Sequence, residues 1–237
     1  MLPPARFFPP VEQSTPEGLL ALGGRLDPEW LLDAYSHGIF PWPFSDGGPM
    51  AWWSPDPRAI IELDGLHVSR RLQRTIRGGK FRVTCDRDFL GVIQGCAEEN
   101  GRQNATWITP EIFSAYARLH RLGHAHSIEV WHEEQLAGGT YGVSIGGLFA
   151  AESKFYRVRD ASKVAVVYLV AHLRARGYRL LDIQQRTAHT ARLGAITIRR
   201  SQYLRRLARC LPLEVTFGDH LEGDPAGRGG NDKDPIS

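Results

Sequence analysis

Residues 136–145 and 148–152 read as two strands separated by nothing but Gly146-Gly147. Glycine takes positive φ without steric cost, so the pair is a two-residue hairpin turn, and the second strand must return antiparallel to the first. Any fold for this chain has to be built around that hairpin. On either side of it, helical and extended patterns alternate. Helices are expected over 69–77, 88–97 and 110–122, the last capped by Thr109, with Pro110 at its first position and Gly123 as its stop. A long helix over 161–176 starts near Asp160 or Ser162 and ends at Gly177, and a helix over 201–209 follows a short one that ends at Leu193. Further strands are expected at 81–84, 126–131, 179–183, 196–198 and 213–217. The sum is an α+β fold with a mostly antiparallel central sheet.

Residues 1–62 have a different texture, rich in Pro, Gly and Trp. They hold one helical pattern, in which Asp27 is the N-cap, Pro28 opens the first turn, Leu31, Leu32 and Tyr35 are the apolar positions and Gly38 closes it. They are expected to form a small first domain packed on a second, 63–218. From Asp219 the run of Gly, Asp, Asn and Pro is too polar to bury a core, so 219–237 is expected to be a disordered tail. No period repeats along the chain, which excludes solenoids and propellers.

The three cysteines, Cys85, Cys96 and Cys210, are odd in number and form no C-x-x-C pattern, so neither a disulfide framework nor a zinc site is indicated. The first ten residues, MLPPARFFPP, lack an apolar segment of signal-peptide length, and no run of eighteen apolar residues occurs. A soluble, cytoplasmic monomer without membrane contact is the expectation. A net charge of +3, carried mostly by arginine, permits a nucleic-acid partner without requiring one.

Several segments carry a resemblance. FPPVEQ, GLLALGGRLDPEWLLDAYSHGIFPW and MAWWSPDPRAII stand in the first sixty residues, and TWITPEIFSAYARLHRLGHAHSIEVW follows at 106–131. GGTYGVSIGGLFAAES at 138–153, DASKVA at 160–165, then LLDIQ and TARLGA within 180–195 complete the series. In this order and spacing, over residues 7–217, the chain resembles the leucyl/phenylalanyl-tRNA–protein transferases. The resemblance implies a small first domain on a GCN5-related acetyltransferase-like domain. It also implies transfer of Leu or Phe, with Met as a further donor, from Leu-tRNA or Phe-tRNA to proteins with N-terminal Arg or Lys, marking them for degradation.

Moving an acyl group from an ester to an amine is downhill, so such an enzyme chiefly aligns its substrates, and no metal, ATP or other cofactor is called for. Asp182 and Gln184 end an apolar strand and match the family's Asp-x-Gln, which implies that Asp182 orients Gln184 beside the acceptor amine. A glutamine amide is no base, so Gln184 is expected to hold and align that amine. Glu152 matches the glutamate of the family's Gly-Glu-Ser and is expected to attract the cationic acceptor. Thr140, Phe149, Leu169 and Leu181 are expected to line the pocket for the donor side chain, and Trp107, Tyr116, Trp52 and Trp53 to surround the terminal adenosine. Arg70, Arg71, Arg74, Arg77 and Lys80 form a cationic ridge suited to acceptor-stem phosphates, opposite the apolar Val68, Leu72 and Ile76.

The chain departs from the family pattern at Ala151 in place of Gly, at Lys154 and Thr140 in place of Met, and at Tyr156 in place of a small residue. Lys154, two positions from Glu152, is placed to neutralise it. Three alternatives remain open: an acyl-CoA-dependent N-acetyltransferase, against which the segment 157–160 lacks the glycine-rich pyrophosphate turn, an RNA-binding protein without activity, and a transferase with altered acceptor or donor preference.

Overall fold

A computed structural model describes residues 2–44, 48–98 and 106–225. Two sheets organise them. The smaller has three antiparallel strands in the order β1 (Leu19–Leu22), β3 (Ala51–Trp53), β2 (Phe40–Pro41), with helix α1 (Pro28–Ser36) beside them. The larger has seven strands in the order β10-β4-β9-β8-β7-β6-β5. These are β4 (Arg58–Ile61), β5 (Arg82–Cys85), β6 (Ala125–His132), β7 (Gln135–Ile145), β8 (Leu148–Tyr156), β9 (Leu180–Gln184) and β10 (Ile196–Ile198). Every pair is antiparallel except β8 with β9, which are joined through helix α5 (Ala161–Arg176), the crossover that a parallel pair requires. The expected α+β class with a mostly antiparallel sheet is what forms.

Helices α3 (Phe89–Glu98) and α4 (Pro110–Arg121) cover one face of the large sheet and pack with α1 around Tyr116, Tyr141 and Val143. The other face is covered by α5, whose Val164, Leu169 and Leu173 meet Phe149 and Leu181. Helix α2 (Arg70–Arg77) lays Leu72 and Ile76 against the same core, and α7 (Arg200–Cys210) seats Tyr203 and Leu207 over Ile60 and Leu180. Short α6 (Ala188–Ala191) leads from β9 towards β10. The expected caps form: Asp27 accepts from the Trp30 amide at 3.1 Å, Thr109 from the Ile112 amide at 3.3 Å, and Gly177 ends α5 in the left-handed region.

Three expectations need correction. The boundary at residue 62 places Arg58–Ile61 in the first domain, but β4 is hydrogen-bonded between β9 and β10 within the large sheet, so the chain joins that sheet before the boundary. Residues 213–217 form no strand, because Val215 and Phe217 turn into the α5 core instead of finding an edge. Residues 219–225 are not a disordered tail: Leu221 packs on that core, the Glu222 amide donates to His172 Nδ1 at 3.0 Å, and Arg176 pairs with Glu222 at 3.2 Å. Neutral His172 is thus used at both nitrogens, since Nε2 meets the Phe217 carbonyl at 2.8 Å, and burial pushes its pKa down to about 4. The remainder of that segment, 226–237, lies outside the described residues. Among the described residues, no helix is long and apolar enough to cross a membrane.

The hairpin contains a bulge. Tyr141 lies opposite Ser153 and Gly142 opposite Ala151, so Glu152 has no partner on β7 and its strand is locally bent. Gly142 permits the close approach, because a Cβ there would lie 2.3 Å from the Ala150 carbonyl oxygen. Gly142→Ala is therefore expected to destabilise the protein by about 1–3 kcal/mol, read as a lower urea midpoint with an unchanged m value.

Candidate active site

Arg58 opens the otherwise apolar strand β4 and is 1% exposed. A buried guanidinium has to be paired. Its Nε donates to Asp182 Oδ1 at 2.9 Å, one terminal nitrogen to Oδ2 at 2.6 Å, and the other to the Gly38 carbonyl at 3.0 Å. The rings of Phe40 and Tyr203 both lie 4.7 Å from its central carbon. Burial works against the charge, but the Asp182 carboxylate outweighs it and the guanidinium pKa moves up. Asp182 also accepts from the Tyr203 hydroxyl at 2.8 Å and from the Gln184 amide N–H at 2.9 Å. Four donors saturate its carboxylate. Asp182 therefore holds the backbone of Gln184, not its side chain. Sequence reasoning missed Arg58 and Tyr203; the signal for Arg58 was a charge at the head of an apolar strand.

Gln184 ends β9 with φ of 55°, in the left-handed region that side chains rarely adopt. Next to it, the β4 register slips between Ala59 and Ile60. The kink lets the Gln184 side-chain Nε2 donate to Glu152 Oε1 at 3.0 Å, and the same side chain lines a cavity. Glu152 Oε2 accepts from the Tyr116 hydroxyl at 3.2 Å, and that hydroxyl bonds in turn to the hydroxyl of Tyr35 on α1. Burial raises Glu152 to about 8, against the pull of the Tyr35 and Tyr116 hydroxyls, and burial pushes both tyrosines up as well. A carboxyl, a carboxamide and two phenols thus form one chain running from the cavity to the small sheet's helix.

The cavity measures about 540 Å³. Thr140, Leu169 and Leu181 line it, and Phe149 does not: it is fully buried beneath, against Tyr178 and Phe217. At the rim, Trp42 and the stacked pair of Trp53 and Phe44 line the cavity, and Trp107, outside the lining, stacks on Trp42 with centroids 4.8 Å apart and donates its indole N–H to Ser153 Oγ at 3.2 Å. Trp42 is 44% exposed and was not singled out from the sequence. Trp52 and Tyr116 present no face to a base. Trp52 is fully buried with its indole N–H on the Gly23 carbonyl at 2.7 Å, and Tyr116 is spent on Glu152. Lys154 lines the cavity but forms no hydrogen bond or ion pair with Glu152, whose oxygens are taken by Gln184 and Tyr116, contrary to the expected neutralisation.

Helix α2 exposes Arg70, Arg71, Arg74 and Arg77, with Lys80 just beyond it. Arg71 pairs with Asp160 at 2.8 Å, so part of the ridge is already engaged. His126 binds Asp86 at 2.6 Å, and no described group of three His, Cys, Asp or Glu converges as a metal site would.

Removing one partner of a buried ion pair strands the other charge. Arg58→Leu is expected to cost about 3–5 kcal/mol, whereas the double variant Arg58→Leu/Asp182→Leu should cost less than the sum of the single ones, measured as a double-mutant cycle in urea.

Comparison with known proteins bears on this site. The family model described as leucyl/phenylalanyl-tRNA protein transferase matches residues 60–208, and the model of that family's N-terminal domain matches 24–56. The leucyl/phenylalanyl-tRNA–protein transferase of Anaeromyxobacter sp. (strain Fw109-5) is 53% identical over 230 residues, covering 95% of this chain and 97% of the relative. That of Solidesulfovibrio magneticus is 52% identical over 201 residues, 84% of this chain and 81% of the relative. A GCN5-related N-acetyltransferase from Kribbella flavida covers 71% of this chain and 60% of its own at 12% identity, with a TM-score of 0.37, too loose a likeness to bear on the fold. With half its residues shared over nearly its whole length, the chain belongs to the leucyl/phenylalanyl-tRNA–protein transferase family and is an aminoacyltransferase.

Proposed function

We propose that the enzyme moves Leu or Phe, with Met as a further donor, from aminoacyl-tRNA to the α-amine of proteins that begin with Arg or Lys. It does so as a cytoplasmic monomer without a cofactor, and the products enter N-degron proteolysis. The observation that carries this reading is the Gln184 carboxamide, held by Glu152 at the wall of a largely apolar cavity rimmed by Trp42, itself stacked on Trp107.

The donor side chain enters between Leu169 and Leu181, and the terminal adenine stacks on the Trp42–Trp107 pair, which suits any base because it reads only a π face. Phosphates of the acceptor stem meet Arg70, Arg74 and Lys80. The acceptor amine donates a hydrogen bond to Gln184 Oε1, whose amide group is turned by Glu152. As the amine attacks the ester carbonyl, the N–C bond forms and its proton passes to Glu152. The C–O bond to the ribose then breaks, and the same proton leaves with the ribose oxygen.

Glu152 suits that exchange because its pKa of about 8 lies near the ~7.7–8.0 of a free α-amine. Neutral in the empty site, it is drawn to its charged form by the two positive charges of an N-terminal Arg or Lys. The acceptor thus helps to make its own base.

Labelled Leu carried by tRNA should pass to a peptide beginning with Arg and not to its Ala counterpart. Gln184→Ala should lower kcat about a hundredfold or more, an effect of the size expected for lost alignment. Charged tRNA bound with no transfer to either peptide would sink the reading. The pH profile offers a second test. Below pH 8, log kcat/KM should climb with a slope near two when both amine and Glu152 must lose a proton, and with a slope near one in Glu152→Gln; equal slopes would remove Glu152 from the proton path.

A further inference from the structure

Lys154 is the cavity's anomaly. It lies on β8 opposite Thr140 of β7, half-buried, on the wall that Leu169, Val166 and Leu181 also form. Among the described residues its ammonium has no hydrogen bond and no carboxylate partner. The nearest acid in sequence, Glu152, is directed to Gln184 and Tyr116. Burial pushes the Lys154 pKa down, and only the Cys96 thiol works in the other direction. His189 on α6 is likewise pushed down, first by burial and then by Lys154, Lys163 and Arg192.

An ammonium left without a partner at an apolar wall costs free energy, and the cost grows when an apolar side chain displaces the remaining water. A leucine side chain offers nothing in return. The face of a phenylalanine ring carries a negative quadrupole and attracts a cation most strongly where both are desolvated. We propose that Lys154 is a specificity-determining residue of the donor pocket, turning it towards phenylalanine and against leucine by placing its ammonium on the ring of the bound aminoacyl group. The inference rests on the reading that the donor side chain occupies this cavity. It needs no charge on the donor and no rearrangement of Gln184 or Glu152.

The test is a competition between Phe-tRNA and Leu-tRNA for transfer to one peptide beginning with Arg, using the full chain. The ratio of kcat/KM for Phe over Leu is compared in the wild type, Lys154→Met and Lys154→Arg. The ratio should fall about two- to thirtyfold in Lys154→Met, the range a cation–π contact spans, and stay near the wild-type value in Lys154→Arg. An unchanged or higher ratio in Lys154→Met overturns the proposal. Leu169→Trp, or Val166→Trp should the first not fold, separates the two layers of argument. If filling the cavity suppresses both donors while Lys154→Met leaves the ratio alone, only the role of Lys154 falls. If both donors are still transferred at the wild-type rate, the cavity is not the donor pocket and the proposal falls with that reading.

Discussion

The buried pair of Arg58 and Asp182 is the contact on which the geometry of the site depends. It joins β4 to β9, reaches through the Gly38 carbonyl to the end of α1, and through the Tyr203 hydroxyl to α7. Four segments distant in sequence therefore meet at two side chains. Such a pair adds little net stability, since taking two charges out of water offsets most of their attraction. Its contribution is positional: with every lone pair of Asp182 used, the amide of Gln184 has one place to be. The left-handed backbone at Gln184 is strain of the kind found where side chains must face a ligand, and the ion pair beneath it holds it there.

A second constraint comes from the opposite strand. The bulge at Glu152 takes its side chain out of the regular alternation of β8, and the closeness that this needs is granted by Gly142. The carboxyl then meets Gln184 on one side and the Tyr116–Tyr35 pair on the other, so a group from each of β8, β9, α4 and α1 shares one hydrogen-bond chain. Burial shifts Glu152 towards the neutral form and into the pH range where amines exchange protons. Neither strand could do this with ideal geometry, because a regular pleat would turn the side chain of Glu152 with the pattern of its neighbours. In the small sheet, Trp52 is committed to the interior with Phe8 and Trp30, while Trp42 and Trp53 remain at the cavity's rim. Three tryptophans close together in sequence thus divide between core and cavity rim.

Much of this protein was written locally. Asp27, Thr109 and Gly177 mark helix ends because capping is settled within a few residues, the glycine pair at 146–147 makes a hairpin for the same reason, and the alternation of apolar runs is enough for an α+β sheet. The residues that matched the family pattern, Asp182, Gln184 and Glu152, do meet at one place. Tertiary structure alone decided what they do there. That Arg58, 124 positions away, saturates Asp182 depends on which strands become neighbours, and the register slips beside Gln184 and Glu152 have no local signature. Nor could composition tell that Phe149 lies beneath the cavity floor, that 219–225 is tied to α5 by His172, or that Lys154 lines the cavity without pairing with Glu152. The physical reason is one of range: caps and turns are satisfied by groups a few residues apart, whereas burial, pairing of charges and the pKa of a carboxyl are set by whatever the fold brings alongside.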